Sequence, residues 1–311
     1  MTELLKRTLG CTDFQVTTLG YGAMELRGAP SGPEVSDEAA AKVLNAVLDA
    51  GINFIDTSID YGRSEDLIGR FIAHRRAEYF LASKCGCVPD APMGAEHIHT
   101  AENIRAGVER SLRRMKTEYL DLVQFHRSLT RREFEEHGAL DAALALKQAG
   151  KVRFLGVSGT LPNLVEQIEM GSFDAFQIPY SALQREHEEV IARAAAAGAG
   201  IIIRGGVARG APTDWQRRYY MLPGATMRER WEQARLDELL NGMSRLEFTL
   251  RFTLSNPDLD TTIVGTRDVG HLRDNIAAAL KGPLPEDLVR EAKQRLDEAS
   301  ARAVPDTQRK T

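Results

Sequence analysis

GINFIDTSIDYGRSE (51–65) runs largely apolar from Ile52 to Ile55, turns polar at Asp56 and reaches a tyrosine at Tyr61. The same shape recurs twice. FLASKCG (80–86) arrives at Lys84, and YLDLVQFHR (119–127) arrives at His126. A short apolar run of this kind suits a parallel strand covered on both faces. In a barrel of repeated β/α units the carboxyl ends of such strands converge on one mouth, and chemistry belongs there. The three stretches therefore bring a carboxylate, a phenol, an ammonium and an imidazole together. Asp56, Tyr61, Lys84 and His126 are the candidate catalytic residues.

The rest of the chain extends the rhythm. Strand-like runs are FQVTTLG (14–20), INFID (52–56), YFLAS (79–83), LDLVQFH (120–126), VRFLGVS (152–158), AFQI (175–178), GIIIR (200–204) and TTIVG (261–265). Amphipathic segments separate them, among them 37–51, 101–115, 132–150 and 185–200, several ending on the glycine that favours a helix C-terminus. Eight alternating units predict an α/β chain folded as a (β/α)8 TIM barrel, which needs about 250 residues. The 311 residues are read as a single barrel domain over 1–311. The excess goes to an N-terminal hairpin in LLKRTLGCTDFQ, to an active-site loop over 208–243 after the seventh strand, and to extra C-terminal helices. A doubly wound sheet is the rival. Its dinucleotide fingerprint G-x-G-x-x-G should follow the first strand, and GYGAME stands there instead.

Composition narrows the function. Apolar residues make up 43% and the formal net charge is −4, so neither nucleic acid nor a membrane surface is an expected partner. No apolar run approaches the roughly 18–20 residues that span a bilayer, and MTELLKRTLGC lacks the apolar core of a secretory signal. The three cysteines, Cys11, Cys85 and Cys87, form neither a disulfide framework nor a four-ligand zinc pattern. A reducing cytoplasm is the expected location. His97 and His99 form an H-x-H pair without a third ligand legible in the sequence, so no metal is expected. Cys85 and Cys87 read as ordinary small residues. Oligomeric state is not legible.

A free phenol, with a pKa near 10, is a sluggish acid at neutral pH. A lysine ammonium within about 4–6 Å favours the phenolate, and a buried carboxylate beside the lysine would keep that ammonium charged. An imidazole next to the phenol can donate to a carbonyl oxygen. The set suits proton donation to a carbonyl oxygen while hydride reaches the carbon, and hydride requires a nicotinamide cofactor, since no side chain supplies it.

The spacing Asp56-x4-Tyr61, with Lys84 and His126 at successive strand ends, resembles the aldo-keto reductase family. GKVRFLGVSG (150–159), FQIP (176–179) and IVGTRDVGHLRDN (263–275) extend the resemblance over nearly the whole chain. The resemblance implies an oxidoreductase in which Tyr61 is general acid in reduction and base in oxidation, Lys84 lowers its pKa, Asp56 holds Lys84 and His126 orients the carbonyl of a small aldehyde or ketone. It implies that Ser158 and Gln177 bind the nicotinamide carboxamide. Thr266 and Arg267 would meet the ribose phosphate, with His271 nearby and Asn275 on the adenine. The fork of Arg267 suits a 2′-phosphate, so NADPH is expected over NADH, although Gly265 stands where some branches carry a lysine. Gly205, Gly206, Val207, Arg209 and Gly210 could wrap the pyrophosphate.

Two positions depart from the family pattern. Gly159 replaces the usual asparagine of G-V-S-N, removing a bond worth roughly 0.5–1.5 kcal/mol. Arg204 replaces the usual aromatic ring against the nicotinamide, and its charge should disfavour the oxidised cofactor. These departures leave two alternatives open: a cofactor-binding regulatory subunit resembling potassium-channel β subunits, or cofactor-assisted epimerisation or elimination without net redox. The loops 24–36, 86–100 and 208–243 suggest a polar, arginine-rich mouth that leans toward sugars or anionic carbonyl compounds.

Overall fold

The computed structural model describes residues 3–89, 91, 93–208 and 227–303. Eight parallel strands close into a barrel: β3 (Leu19–Gly22), β4 (Phe54–Asp56), β5 (Phe80–Cys85), β6 (Leu120–Phe125), β7 (Val152–Ser158), β8 (Ala175–Pro179), β9 (Gly200–Arg204) and β10 (Thr261–Val264), with β10 pairing back onto β3. The helices α1 (Asp37–Asp49), α2 (Ser64–Phe71), α3 (Ala101–Met115), α4 (Arg131–Glu136), α5 (Ala139–Gln148), α6 (Leu164–Glu169), α7 (Glu188–Ala196), α8 (Met227–Gln233), α9 (Arg245–Leu254), α10 (Val269–Leu280) and α11 (Glu286–Ala303) accompany them. The expected barrel is the observed one.

Local chemistry explains the helix limits. Thr100 caps α3 by accepting from the Asn103 amide, and Ile104, Val108, Ser111, Leu112 and Met115 bury one face at helical spacing. Thr130 and Glu133 form a capping box that starts α4. The segment 132–150, expected as one helix, is two: Gly138 at φ 61° ends α4 and opens α5, a left-handed conformation that a continuous helix cannot contain.

The N-terminal hairpin, β1 (Lys6–Thr8) with β2 (Gln15–Thr17), is as expected, but the first strand-like run is divided. Residues 15–17 belong to the hairpin and β3 begins at Leu19, because the chain bends at Thr18, whose amide donates to the Leu5 carbonyl. The hairpin plugs the amino-terminal end of the barrel. Its Leu9 and Val16 pack with Phe54, Phe80, Ala82, Leu122, Ala175 and Ile202, and the Phe54 and Phe80 rings stack at 5.4 Å. With one end filled by side chains, the open end is the carboxyl end.

The stretch 208–243 is expected as a loop over the mouth. Residues 209–226 lie outside the described residues. The remainder is part of the outer layer: α8 and the turn at Leu236–Leu239 bury Met227, Trp231, Ala234, Leu236 and Leu239. Trp231 donates its ring N–H to Asp237 and packs edge-on against Phe248. Apolar residues at these positions drive the packing of 227–239.

Candidate active site

The strand register assembles the site. Lys84 on β5 lies opposite Gln124 on β6, and Ser158 on β7 lies opposite Gln177 on β8. All four are buried with Asp56 at the open end. Lys84 Nζ donates to Asp56 Oδ1 at 2.6 Å and to the Thr57 carbonyl at 3.0 Å, with 0% and 2% of the two side chains exposed. Gln124 Nε2 and Gln177 Nε2 donate to the same Asp56 oxygen at 2.9 and 2.8 Å, and Ser158 Oγ donates to Gln177 Oε1 at 2.9 Å. One carboxylate oxygen thus organises four other side chains, directly or through one intermediate. Such dense donation compensates the desolvation of a buried ion pair.

Tyr61 follows β4 on the connection to α2. Its ring lies 5.8 Å from Lys84 Nζ and 6.0 Å, edge-on, from the His126 ring. The four expected catalytic residues are therefore brought together. The electrostatics differ from expectation. Burial, then the Asp56 and Asp60 carboxylates, push the Tyr61 phenol above its ordinary value, and Arg204 is the cation that opposes them. Lys84 is engaged by Asp56, and the phenol stays raised despite the nearby ammonium. Burial also lowers His126, to about 3, which leaves the imidazole neutral. Cys87 Sγ lies 3.1 Å from His126 Nδ1, and burial pushes that thiol up to about 12. A thiol proton given to Nδ1 in a hydrogen bond leaves the ring proton on Nε2, where it can be donated to a substrate oxygen.

Residues expected at the cofactor divide into two groups. Ser158 and Gln177 are tied into the Asp56 network, but a side-chain amide has two donors and two acceptor lone pairs and a hydroxyl two lone pairs, so each retains capacity for a carboxamide. Arg204 ends β9 beside β10, in register with Ile263; its Nε is buried without a hydrogen-bond partner among the described residues. Gly205 sits at φ 74°. Gly206 is a packing position: Thr253 donates to its carbonyl, and a Cβ would lie 2.3 Å from Thr262 Oγ1. Val207 packs against the core. Arg209 and Gly210 lie outside the described residues. Thr266, Arg267, His271 and Asn275 gather where β10 passes into α10, whose first turn is capped by Asp268 accepting from the His271 amide. Arg267 and His271 are exposed, whereas Asn275 is buried with its Oδ1 unpartnered among the described residues. Orphaned polar atoms at both Arg204 and Asn275 fit a polar cofactor running from the mouth across β10.

Two sequence departures have steric causes. A Cβ at Gly159 would meet Ser128 Oγ at 2.9 Å and Ser128 Cβ at 3.1 Å, so an asparagine there requires Ser128 to move. A Cβ at Gly265 would lie 2.7 Å from the Gly22 carbonyl oxygen, which excludes a lysine in this backbone.

Sequence reasoning missed Gln124, Asp60 and Cys87. The signal for Gln124 was available, since it lies two residues before His126 in an otherwise apolar run. His97, read in the sequence as a partner of His99, meets that ring edge-on at 6.2 Å and also stacks on His126, centroids 4.8 Å apart.

The closed eight-stranded barrel and this polar mouth define a TIM-barrel protein with its site at the carboxyl ends of the strands. The chain belongs to the aldo/keto reductase family: the model of the Aldo/keto reductase family matches residues 18–297. It is 29% identical over 297 residues to the uncharacterized oxidoreductase YqkF of Bacillus subtilis, covering 92% of this chain and 94% of that one. It is 28% identical over 303 residues to L-galactose dehydrogenase of Arabidopsis thaliana, covering 89% of each. An NADH-specific methylglyoxal reductase of Escherichia coli is 26% identical over 306 residues, covering 88% of this chain and 93% of that one. Among solved structures, the holo form of an aldo-keto reductase from Bacillus halodurans superposes with a TM-score of 0.81 at 26% identity, covering 99% of this chain and all of that one. None of the described helices is long and apolar enough to cross a membrane.

Proposed function

We propose that the protein reduces the carbonyl of an aldehyde or ketone with NADPH, and that Tyr61 delivers the proton. The observation that carries this reading is the cluster itself: a buried Lys84–Asp56 pair at 2.6 Å, with Lys84 Nζ 5.8 Å from the Tyr61 ring and the His126 ring 6.0 Å from that phenol ring. The bound nicotinamide supplies hydride. Tyr61 gives its phenolic proton to the carbonyl oxygen, and the Arg204 charge steadies the phenolate that remains. Asp56 holds Lys84 in place, and His126 orients the carbonyl through its Nε2–H.

Asn275 would accept from the adenine amino group, Ser158 and Gln177 would hold the carboxamide, and Thr266 and Arg267 would meet the ribose phosphate. NADPH is preferred because Arg267 is an exposed guanidinium at the start of α10, where both its own charge and the helix N-terminus favour a phosphate. The similarity to a sugar dehydrogenase supports a polar carbonyl substrate.

The test is Tyr61→Phe. Cofactor binding, followed by quenching of protein fluorescence, should be unchanged, while reduction of a carbonyl panel should fall by at least the roughly 10²–10⁴-fold that general acid catalysis contributes. Full turnover in this variant removes Tyr61 from its role. Tight cofactor binding by the wild type without turnover of any carbonyl overturns the reductase reading in favour of a binding role.

A further inference from the structure

Beside the proposed hydride site lies a second constellation that the reduction does not use as a unit. Asp60 precedes Tyr61, Cys87 lies two residues past β5, His97 stands in the 86–100 connection and His126 follows β6 directly. Their candidate ligand atoms all lie within 4.8 Å of one another. His126 Nδ1 is 3.1 Å from Cys87 Sγ and 3.6 Å from Asp60 Oδ1, and His97 Nε2 is 3.7 Å from Asp60 Oδ2. Tetrahedral coordination with bonds of about 2.0–2.3 Å sets ligand-to-ligand separations of about 3.3–3.6 Å. These separations lie close to that spacing, with the two histidines facing different oxygens of the Asp60 carboxylate.

Three further observations point to a ligand. His97 Nε2 is buried and faces the cluster, with Asp60 Oδ2 at 3.7 Å, just beyond hydrogen-bond distance, as its nearest polar contact in that cluster. Ser58 donates to Asp60 Oδ1 and so orients that carboxylate, the outer support that metal ligands characteristically have. Asn103, on α3, donates to the carbonyls of Cys87 and Ile98 and draws the two ends of the 86–100 connection together. That connection carries neither helix nor strand among its described residues, so the His97 ring can turn out of its 4.8 Å stack on His126 and bring Nε2 to the ion without disturbing the barrel.

We propose that Asp60, Cys87, His97 and His126 Nδ1 form a four-ligand site for a divalent transition-metal ion of the zinc and cobalt class. Two imidazoles, one sulfur and one carboxylate favour such an ion over magnesium or calcium, which prefer all-oxygen shells. Charge balances as well. The Cys87 thiol loses its proton to solvent as the metal–sulfur bond forms, and thiolate plus carboxylate then offset the two positive charges. Four protein ligands leave no open position, so the ion does not contact the carbonyl. It acts through His126, because ligation at Nδ1 leaves the ring proton on Nε2. This last consequence rests on the proposed reduction; the binding site does not.

The experiment is a titration of chelator-stripped protein with Co²⁺ and Zn²⁺ separately. The expected result is one equivalent bound. Co²⁺ should bring a thiolate-to-metal charge-transfer band in the near ultraviolet and visible bands of tetrahedral intensity. Cys87→Ser should lose the charge-transfer band. His97→Ala should weaken Zn²⁺ binding by at least the roughly 10–100-fold that loss of an outer partner costs. Absence of stoichiometric binding by the wild type, or binding undiminished in both variants, overturns the site. Co²⁺ binding with the thiolate band in a protein that reduces no carbonyl would leave the site standing and remove only the reductase reading.

Discussion

The Asp56–Lys84 pair allows a prediction whose size follows from its geometry. Both side chains are buried, and Lys84 donates to Asp56 Oδ1 at 2.6 Å and to the Thr57 carbonyl at 3.0 Å. Lys84→Met leaves the carboxylate with the neutral amides of Gln124 and Gln177. Removing one member of a buried pair costs about 3–5 kcal/mol, because an uncompensated charge stays inside. Asp56→Asn should cost a similar amount by stranding the ammonium. The double variant strands no charge, and the amide oxygen that Asp56→Asn introduces can still accept from both glutamines. It should be no less stable than either single variant, which makes the coupling energy at least about 3 kcal/mol, at or above the upper end for contacting residues. Equilibrium urea unfolding followed by far-ultraviolet circular dichroism, with an unchanged m value, measures it. All three variants should lack turnover, so stability is read independently of activity. Single-variant losses that simply add, to within about 0.5 kcal/mol, would refute the claim that the pair is held together by mutual compensation.

The remaining predictions test other parts of the site and the core. Gly159→Asn should destabilise the protein by about 1–3 kcal/mol through overpacking against Ser128, whereas Gly159→Asn with Ser128→Gly should restore stability and tighten cofactor binding; unchanged stability in the single variant would mean that Ser128 yields freely. Arg204→Leu should shift the ratio of oxidised to reduced cofactor affinity toward the oxidised form by on the order of 1 kcal/mol, about fivefold, as read by parallel fluorescence titrations; an unchanged ratio rejects the electrostatic role. Arg267→Ala should lower kcat/KM with NADPH by about 10–100-fold, the worth of a charged hydrogen bond of about 1.5–3 kcal/mol, and leave NADH use nearly constant; equal losses with both cofactors would place Arg267 away from the 2′-phosphate. Burial holds His187 below its ordinary imidazole value, so the unfolded chain binds more protons than the folded one below about pH 6.5. Its contribution is therefore intact above that pH and is lost as pH falls, at up to about 1.4 kcal/mol per pH unit. The stability difference between wild type and His187→Phe should shift in the variant's favour as pH drops from 7 toward 5 in urea titrations, and a difference independent of pH would contradict this.

Much of this protein follows from local pattern. Short apolar runs alternating with amphipathic ones predict parallel strands and covering helices, and eight of them predict closure. Polar residues at strand ends, Asp56, Lys84 and His126, with Tyr61 just beyond, predict a mouth, because period and strand direction are properties of consecutive residues. The hairpin in 6–17 and the helix over 101–115 are legible for the same reason. The run 14–20 misled because a bend at Thr18 leaves hydrophobicity unchanged, and 227–243 misled because charge at the surface of a helix resembles charge in a loop.

What the tertiary structure alone decided depends on distance in space between residues distant in the chain. Register across β4, β5, β6 and β8 joins Gln124 and Gln177 to Asp56, and no spacing along the chain encodes that convergence. The stacking of His97 on His126 as well as its edge contact with His99, and the approach of Asp60 and Cys87, arise where three connections fold over one barrel mouth. The Asp56 and Asp60 carboxylates raise the Tyr61 phenol and Arg204 opposes them, an arrangement set by where β9 ends relative to the connection after β4. Sequence determined which chemical groups stand at the mouth; closure of the barrel decided which of them touch.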